Sequence, residues 1–456
     1  MARVLPSVPP AFHVLPDRLF YGWYVTFACA CLMFVGVGIG YYGLPVFLSP
    51  LREEHGWTTA QVSWAPAIYF GISGITGALS GPYIDRHGPG VLIFVGMLLN
   101  AASAASIGLV NELWQLYLAY FVFAVAFGMS TSVATNAIIT RWFIRRRALA
   151  TSFAATGVSM GGIILAPTAS RLIDSGGLEL ATPILGVIVL LVSMPVIFLI
   201  LAPDPAAVGL TPDGDSQDSP GYTDSDRFRA AQARSWTRIE AVHTVAFWAI
   251  LTAFLLALVS QTGYVIHQVS FLEDRLGSRS AASLTISLTA FGSTVARLVV
   301  GLFADRADKR LIAACLFLLQ ASCITVVAHV DSVAVTWLVT FAFGFTIGNI
   351  YMMQSLLVGE IFGMVSFGMI FGLVSLAGQA GSGVGPIAVG YLHDRSGGYT
   401  APFTILAAID VVAAAVILLA RPASSKDPPG GALRSDYSPA LSGSSEGLSS
   451  STTEGR

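Results

Sequence analysis

The sequence predicts an all-α membrane protein: twelve transmembrane helices in two six-helix pseudo-repeats. Three observations predict it. Only 11% of the 456 residues are charged, whereas 54% are hydrophobic and the mean hydropathy is +0.72; soluble domains carry about 25% charged residues. Apolar runs long enough to span a bilayer as helices, roughly 20 residues each, recur along the chain. The chain also repeats itself, because GPYIDR at 81–86 matches GLFADR at 301–306. Gly81/Gly301, Asp85/Asp305 and Arg86/Arg306 share an offset of 220, as do Gly161/Gly381 and Asp174/Asp394.

The expected spans are 22–49, 60–84, 90–110, 113–139, 147–173 and 181–202, then 244–271, 281–303, 310–329, 333–358, 364–392 and 399–420. Helices rather than strands follow from segment length and from the need to satisfy backbone hydrogen bonds in lipid. Residues 1–20 read as a short cytoplasmic N-terminal tail without a signal-peptide pattern. A six-helix bundle at 21–203 is followed by a linker at 204–243, rich in Pro, Gly, Asp and Ser. A second bundle occupies 244–421, and 422–456 has the low-complexity composition of a disordered tail.

Lys and Arg set the orientation. Arg86, Arg141, Arg145, Arg146, Arg147, Arg306, Lys309 and Arg310 fall in loops on one side, with Arg227, Arg229, Arg234 and Arg238 of the linker. The other side holds Arg52, Arg171, Arg275, Arg279 and Arg395. The positive-inside rule places both termini and the linker in the cytoplasm, which suits a cell inner membrane. The net charge of −2 argues against nucleic-acid binding. Cys29, Cys31, Cys315 and Cys323 lie in apolar runs without metal-ligand spacing and read as small buried hydrophobes. No nucleophile–base arrangement, metal cluster or cofactor motif stands out, so an enzyme is not expected.

Arg297 stands inside an otherwise apolar span, TAFGSTVARLVVGLFADR. A central arginine costs about 2.5–3.5 kcal/mol on insertion scales. Such residues face a bundle interior or an aqueous cavity. At about 100° per residue, Ser293, Thr294 and Gly301 share its side and Thr289 lies at the edge, whereas Leu288, Phe291, Val295, Val299 and Leu302 lie opposite. The polar stripe is expected to face a central pathway, where a guanidinium fork fits a carboxylate. Two other readings stand beside this one: snorkelling towards the cytoplasmic end, and a structural ion pair with Asp410.

YGWYV (21–25), RWFIRRRALA (141–150) with the small-residue run after it, GLTPDGD (209–215) and VARLVVGLFADR (295–306) together resemble one family. It is the bacterial monocarboxylate-transporter and oxalate/formate-antiporter branch of the major facilitator superfamily. The resemblance covers nearly the whole chain apart from its tails. It implies the major facilitator fold and secondary transport of a small organic anion by alternating access. A monocarboxylate is the leading substrate, and coupling to protons and anion exchange both stay open. It implies that Arg297 matches the branch's substrate-binding arginine in helix 8. Asp85, Arg86, Asp305 and Arg306 read as the gating latch between spans 2–3 and 8–9, with a solvated turn as the plain alternative. By fold analogy, spans 1, 4, 7 and 10 line the pathway. Tyr41, Asn136, Gln261, His267, Asn349 and Tyr351 become substrate-binding candidates, together with Gln379 of span 11. The expected partners are the anion, the lipid bilayer and protons, with the chain acting as a monomer. Carriage of another small molecule (a drug, metabolite, vitamin or aromatic compound) is the alternative.

Two departures qualify the resemblance. Animal-type carriers of the family place an aspartate one turn before the helix-8 arginine, and that position here is Ser293. The oxalate exchanger's helix-11 lysine has no counterpart, since no Lys or Arg occurs between 364 and 392. One fixed charge suits a monoanion better than a dianion.

Overall fold

Backbone groups in lipid must find partners within the chain, and the apolar runs accordingly fold as helices. The computed structural model describes residues 8–14, 19–143, 146–214, 238–303, 308–362 and 367–421. Met1–Arg421 forms one compact unit, and the second unit, Pro422–Arg456, lies outside the described residues. The N-terminal half contains α1 (Tyr21–Gly40), α2 (Leu44–His55), α3 (Thr59–His87), α4 (Gly90–Ser106), α5 (Leu113–Ser130), α6 (Ser132–Trp142) and α7 (Arg147–Leu199). A short α8 (Arg238–Val242) ends the linker. The C-terminal half contains α9 (Val245–Leu276), α10 (Arg279–Phe303), α11 (Lys309–His329), α12 (Val333–Phe362), α13 (Phe367–Ser396) and α14 (Thr400–Ile417). No strand occurs among the described residues.

Among those residues, ten helical segments are long and apolar enough to cross a membrane, against the twelve expected. The 51-residue segment Leu149–Leu199 counts once, yet Gly176 and Gly177 leave helical geometry inside it. Gly177 has φ +71, a left-handed conformation that a side chain would oppose. α10 is not among the ten, and Arg279, Arg297 and a Ser/Thr stripe interrupt its apolar character.

Two expected spans are broken. Span 1 stops at Gly40 and resumes at Leu44, where Pro45 in the first turn lacks the N–H that would be unsatisfied there. The break sets Tyr41 and Tyr42 between α1 and α2. Span 4 breaks at Thr131 (φ −100, ψ −116). There Ser130, Thr131 and Thr135 donate their hydroxyls to the carbonyls of Ala126, Phe127 and Thr131 at 2.7, 2.5 and 2.8 Å. Hydroxyls that bond back to the preceding turn bend helices.

Small residues let the helices touch backbone to backbone. A Cβ on Gly157 would lie 2.0 Å from the Ala30 carbonyl oxygen, and one on Gly161 would lie 2.5 Å from that of Phe34. α1 and α7 therefore pack along a stripe spaced by four residues, one helical turn. Large apolar side chains such as Leu79, Leu191 and Leu338 are exposed on the outside of the bundle, the surface that lipid covers. Cys29 and Cys323 are buried as expected, but Cys315 is exposed because its position on α11 faces outward.

The two ends of the bundle differ. At the linker end, the Tyr21 hydroxyl donates to Ile200 O at 2.9 Å, and Trp142 Nε1 donates to Ala202 O at 2.7 Å. Lys309 pairs with Glu360 at 2.5 Å. Asp308 caps α11 by accepting from Arg310 N at 2.9 Å, and hydrogen bonds from the Arg310 side chain hold its carboxyl below the usual carboxylate range. The halves meet through α2 against α9, α3 against α13, and α7 against α10.

Candidate functional site

α10 is the most amphipathic of the spanning helices, and its faces divide as its periodicity predicts. Thr289 and Ser293 are fully buried, whereas Phe291 and Val299 are exposed. Arg297 follows on the polar stripe. Its NH2 group donates to Ser293 Oγ at 3.2 Å, and its NH1 group donates across the halves to Ala155 O of α7 at 3.4 Å. Gly348 of α12 makes room for it, since a Cβ there would lie 2.1 Å from Arg297 Nε.

This geometry disposes of both alternatives for Arg297. Ser293 lies one turn towards the far end, so the guanidinium points into the middle of the bundle rather than snorkelling to the linker end. Asp410 is engaged elsewhere, accepting from Ser260 Oγ at 2.6 Å and from Gln320 Nε2 at 2.9 Å. Among the described residues, no carboxylate lies within 4.0 Å of Arg297. Among the described residues, only two of its five N–H groups are used, both in long bonds to neutral acceptors.

Tyrosines surround this charge. The Tyr42 hydroxyl is within electrostatic reach of the Arg297 guanidinium, and its ring would sit 2.9 Å from a Cβ on Gly162. Tyr41 packs edge-on against Tyr42 at 5.0 Å, and its buried hydroxyl has no hydrogen-bond partner among the described residues. Tyr351 of α12 reaches towards Tyr41 and Tyr42 and lies beside Ser382. It remains 37% exposed. Asn349, next to Gly348, donates to Phe345 O at 2.8 Å, and its buried Oδ1 has no partner among the described residues.

The structure thus gathers Arg297, Tyr41, its sequence neighbour Tyr42, Tyr351 and Asn349 at the centre, and adds Gly348 and the Ala155 carbonyl. These two additions left no signal in sequence, because a glycine and a backbone carbonyl act here only through their position. Four other candidates sit apart. Gln261 is fully buried inside the C-terminal half, where its Nε2 donates to Gln320 Oε1 at 3.2 Å. His267 lies on the far-end seam, its Nε2 3.1 Å from Pro386 O and 3.3 Å from Ser63 Oγ. Gln379 packs against Gly74 across the seam of α3 and α13. Asn136 is half-buried on α6.

The latch residues are only partly visible. Asp305 and Arg306 lie outside the described residues, as does the Asp85 side chain. Arg86 is exposed in the last turn of α3, where Arg141 NH2 donates to Ile84 O at 3.1 Å.

A second latch, absent from the sequence reading, closes the far end. Asp394 accepts from the Ala60 backbone N–H at 2.9 Å, capping α3 from the opposite half. Asp174 accepts from Ser280 Oγ at 2.5 Å at the start of α10. Ala60 and Ser280 differ by the same 220 residues as Asp174 and Asp394, so the two contacts are related by the repeat. Arg279 adds Glu53 at 2.9 Å and Asp174 at 3.8 Å across the halves, and Glu273 at 3.3 Å. Ser49 and Ser270 hydrogen-bond at 2.8 Å beneath them. A carboxylate at a helix N-terminus contributes about 0.3–1 kcal/mol. The Asp174→Asn/Asp394→Asn pair is therefore expected to open the far end several-fold more often. A cysteine placed at Ala67, on the seam opposite Gly383, would report this as faster labelling by an impermeant thiol reagent. An unchanged labelling rate would remove these residues from the gate.

Comparison with known proteins agrees with this architecture. Residues 30–362 and 269–444 match the sequence profile described as Major Facilitator Superfamily. The chain is 24% identical over 425 residues to Monocarboxylate transporter 2 of Rattus norvegicus, covering 91% of this chain and 85% of that one. An MFS-type transporter of Gibberella moniliformis is 31% identical over 162 residues, which span 36% of this chain and only 37% of that protein. A crystal structure of a bacterial homolog of the human lysosomal transporter Spinster, inward-facing and unoccupied, superposes with TM-score 0.66 at 18% identity. It covers 89% of this chain and 98% of that one.

Proposed function

Because the chain belongs to the Major Facilitator Superfamily, a family of multi-pass transporters rather than enzymes, we propose that it is a secondary carrier of a small organic anion, a monocarboxylate before others, working by alternating access. The observation that carries this reading is the state of Arg297. It is a cation held at mid-bundle with three N–H groups unused and no carboxylate beside it among the described residues. Such a cation in an apolar span is retained for a ligand that neutralises it, and a carboxylate can take a guanidinium fork by two parallel hydrogen bonds. Tyr41, Tyr42, Tyr351 and Asn349 supply hydroxyl and amide groups to the remainder of the solute. Gln261 and His267 serve the packing of the C-terminal half and of the seam. The names of the relatives support the substrate class.

The excess of Lys and Arg at the linker end supports a cytoplasmic position for it in a cell inner membrane. In that orientation, the contacts that close the far-end seam support an inward-facing state. The latch at Asp85, Arg86, Asp305 and Arg306 would close the linker end in the opposite state. Uptake of a panel of labelled monocarboxylates into proteoliposomes tests the reading, with and without a pH gradient and with and without an internal counter-anion. Stimulation by acid outside identifies proton symport, and stimulation by the internal anion identifies exchange. If none of the panel is carried and a neutral compound is, the anion assignment is wrong.

Gly348→Ala tests the geometry without touching the charge. The added methyl forces the guanidinium aside, because the side chain yields more easily than the backbone. The expected result is normal folding with apparent affinity about tenfold weaker, equivalent to about 1.4 kcal/mol. Wild-type affinity in this variant would show that the position of the fork over Gly348 is immaterial.

A further inference from the structure

Asp410 is the only Asp or Glu within the twelve apolar spans of the sequence. It is fully buried near the middle of α14, and its two oxygens have separate partners. Gln320 of α11 donates Nε2–H to Oδ1 at 2.9 Å and also to Ala257 O at 3.0 Å, so both amide protons are engaged and Oδ1 must accept. Ser260 of α9 lies 2.6 Å from Oδ2 and 3.2 Å from Leu406 O. A serine hydroxyl has one proton and cannot donate to both. A proton on Oδ2 resolves the conflict: Asp410 then donates to Ser260 Oγ, and Ser260 donates to Leu406 O. No cation offsets a charge here, since no Lys, Arg or His among the described residues pairs with Asp410. An unpaired buried carboxylate is costly, and the neutral acid is not.

The titratable groups facing this site are few. Tyr264 and His267 of α9 lie one and two turns from Ser260, towards the far end. Tyr264 packs on Phe403, and His267 is engaged by Pro386 O and Tyr399. α11 contributes buried Cys323, and α13 contributes His393, which lies against Tyr399. α14 itself has no second titratable residue.

From this geometry we propose that Asp410, with Ser260 and Gln320, is a proton-binding site of the C-terminal half, separate from Arg297 and filled when the far end is closed. α9 links it to the gate. The same helix carries Ser260 and also Ser270 and His267, which bond to Ser49 and Ser63 across the seam. When the far end opens, α9 must leave those partners, and its movement against α14 withdraws Ser260 from Oδ2. The acid then releases its proton to water as hydronium, and re-closure takes one back without any electron transfer. The coupling to solute rests on the carrier reading above. The proton site itself does not.

Infrared spectroscopy of the full chain in lipid nanodiscs at neutral pH tests the site. The wild type should show a protonated-carboxyl C=O band that Asp410→Asn lacks, and Ser260→Ala should shift that band without removing it. Spectra that superimpose for all three proteins in this region overturn the proposal. The Ser260→Ala comparison also decides the matter if the asparagine variant does not fold. In proteoliposomes, wild-type uptake should rise with acid outside because protonation of Asp410 favours re-closure of the far end, and Asp410→Asn should lose that dependence, its ratio falling to one, while solute exchange continues. Wild-type acid stimulation in the variant overturns the coupling. Absence of solute uptake by the wild type would count against the carrier reading alone, because the infrared result still decides the proton site.

Discussion

Replacing Arg297 with Gln is expected to lower monocarboxylate uptake by on the order of 100-fold, with purified yield and helix content unchanged. Hydrogen bonds to a charged partner contribute about 1.5–3 kcal/mol each, and the guanidinium can supply two in parallel. Loss of both leaves only the neutral groups of Tyr41, Tyr42, Tyr351 and Asn349. Folding should not suffer, because the side chain makes only two long bonds, to Ala155 O and Ser293 Oγ, and its removal relieves an insertion cost of about 2.5–3.5 kcal/mol. Arg297→Lys should fall between the two, since it keeps the charge and loses the fork. Equal uptake by the wild type and the glutamine variant, measured at substrate concentrations below KM, would mean that the solute does not use this charge.

The second large effect concerns folding. Gly157→Val is expected to abolish recovery of a monodisperse protein, or to lower its Tm by at least about 10 °C. Overpacking commonly costs about 1–3 kcal/mol where side chains can yield. Here the obstruction is backbone, with the Ala30 carbonyl oxygen 2.0 Å from the position of the new Cβ. α1 and α7 would have to separate along the stripe that also includes Gly38 and Gly161. Size-exclusion chromatography and thermal unfolding in detergent check this. Gly71→Val is the control, since nothing lies within 4 Å of a Cβ there. Equal stability of the two variants would show that close α1–α7 contact at Gly157 does not hold the bundle together.

Much of this was legible beforehand. Composition and run length predict a helical membrane protein because lipid leaves the backbone no alternative. The repeated Gly, Asp and Arg positions announce two related halves, and helical periodicity puts Arg297 on a buried polar stripe. Gly157 and Gly161 stand in the small-residue run after RWFIRRRALA, and only small residues permit close helix approach. Other features were not legible for definite reasons. A span containing Gly40, Gly43 and Pro45 is apolar throughout, so hydropathy cannot show the break that turns Tyr41 and Tyr42 inward. Gln261 and Gln379 look alike in sequence. One is directed to Gln320 inside its own half and the other to Gly74 across the seam, and helix rotation alone separates them.

The sequence by itself therefore determined the environment, the helices, the twofold plan and the one charge that breaks it. These are properties of runs and periods along the chain, governed by local transfer energies and helical geometry. Only the tertiary structure decided which partners the polar groups take. It shows Arg297 free of carboxylates among the described residues, Asp410 between Ser260 and Gln320, and Asp174 and Asp394 locking opposite halves at the far end. Those pairings join residues 90 to 334 positions apart, and they depend on how helices rotate and approach one another, which no local pattern encodes.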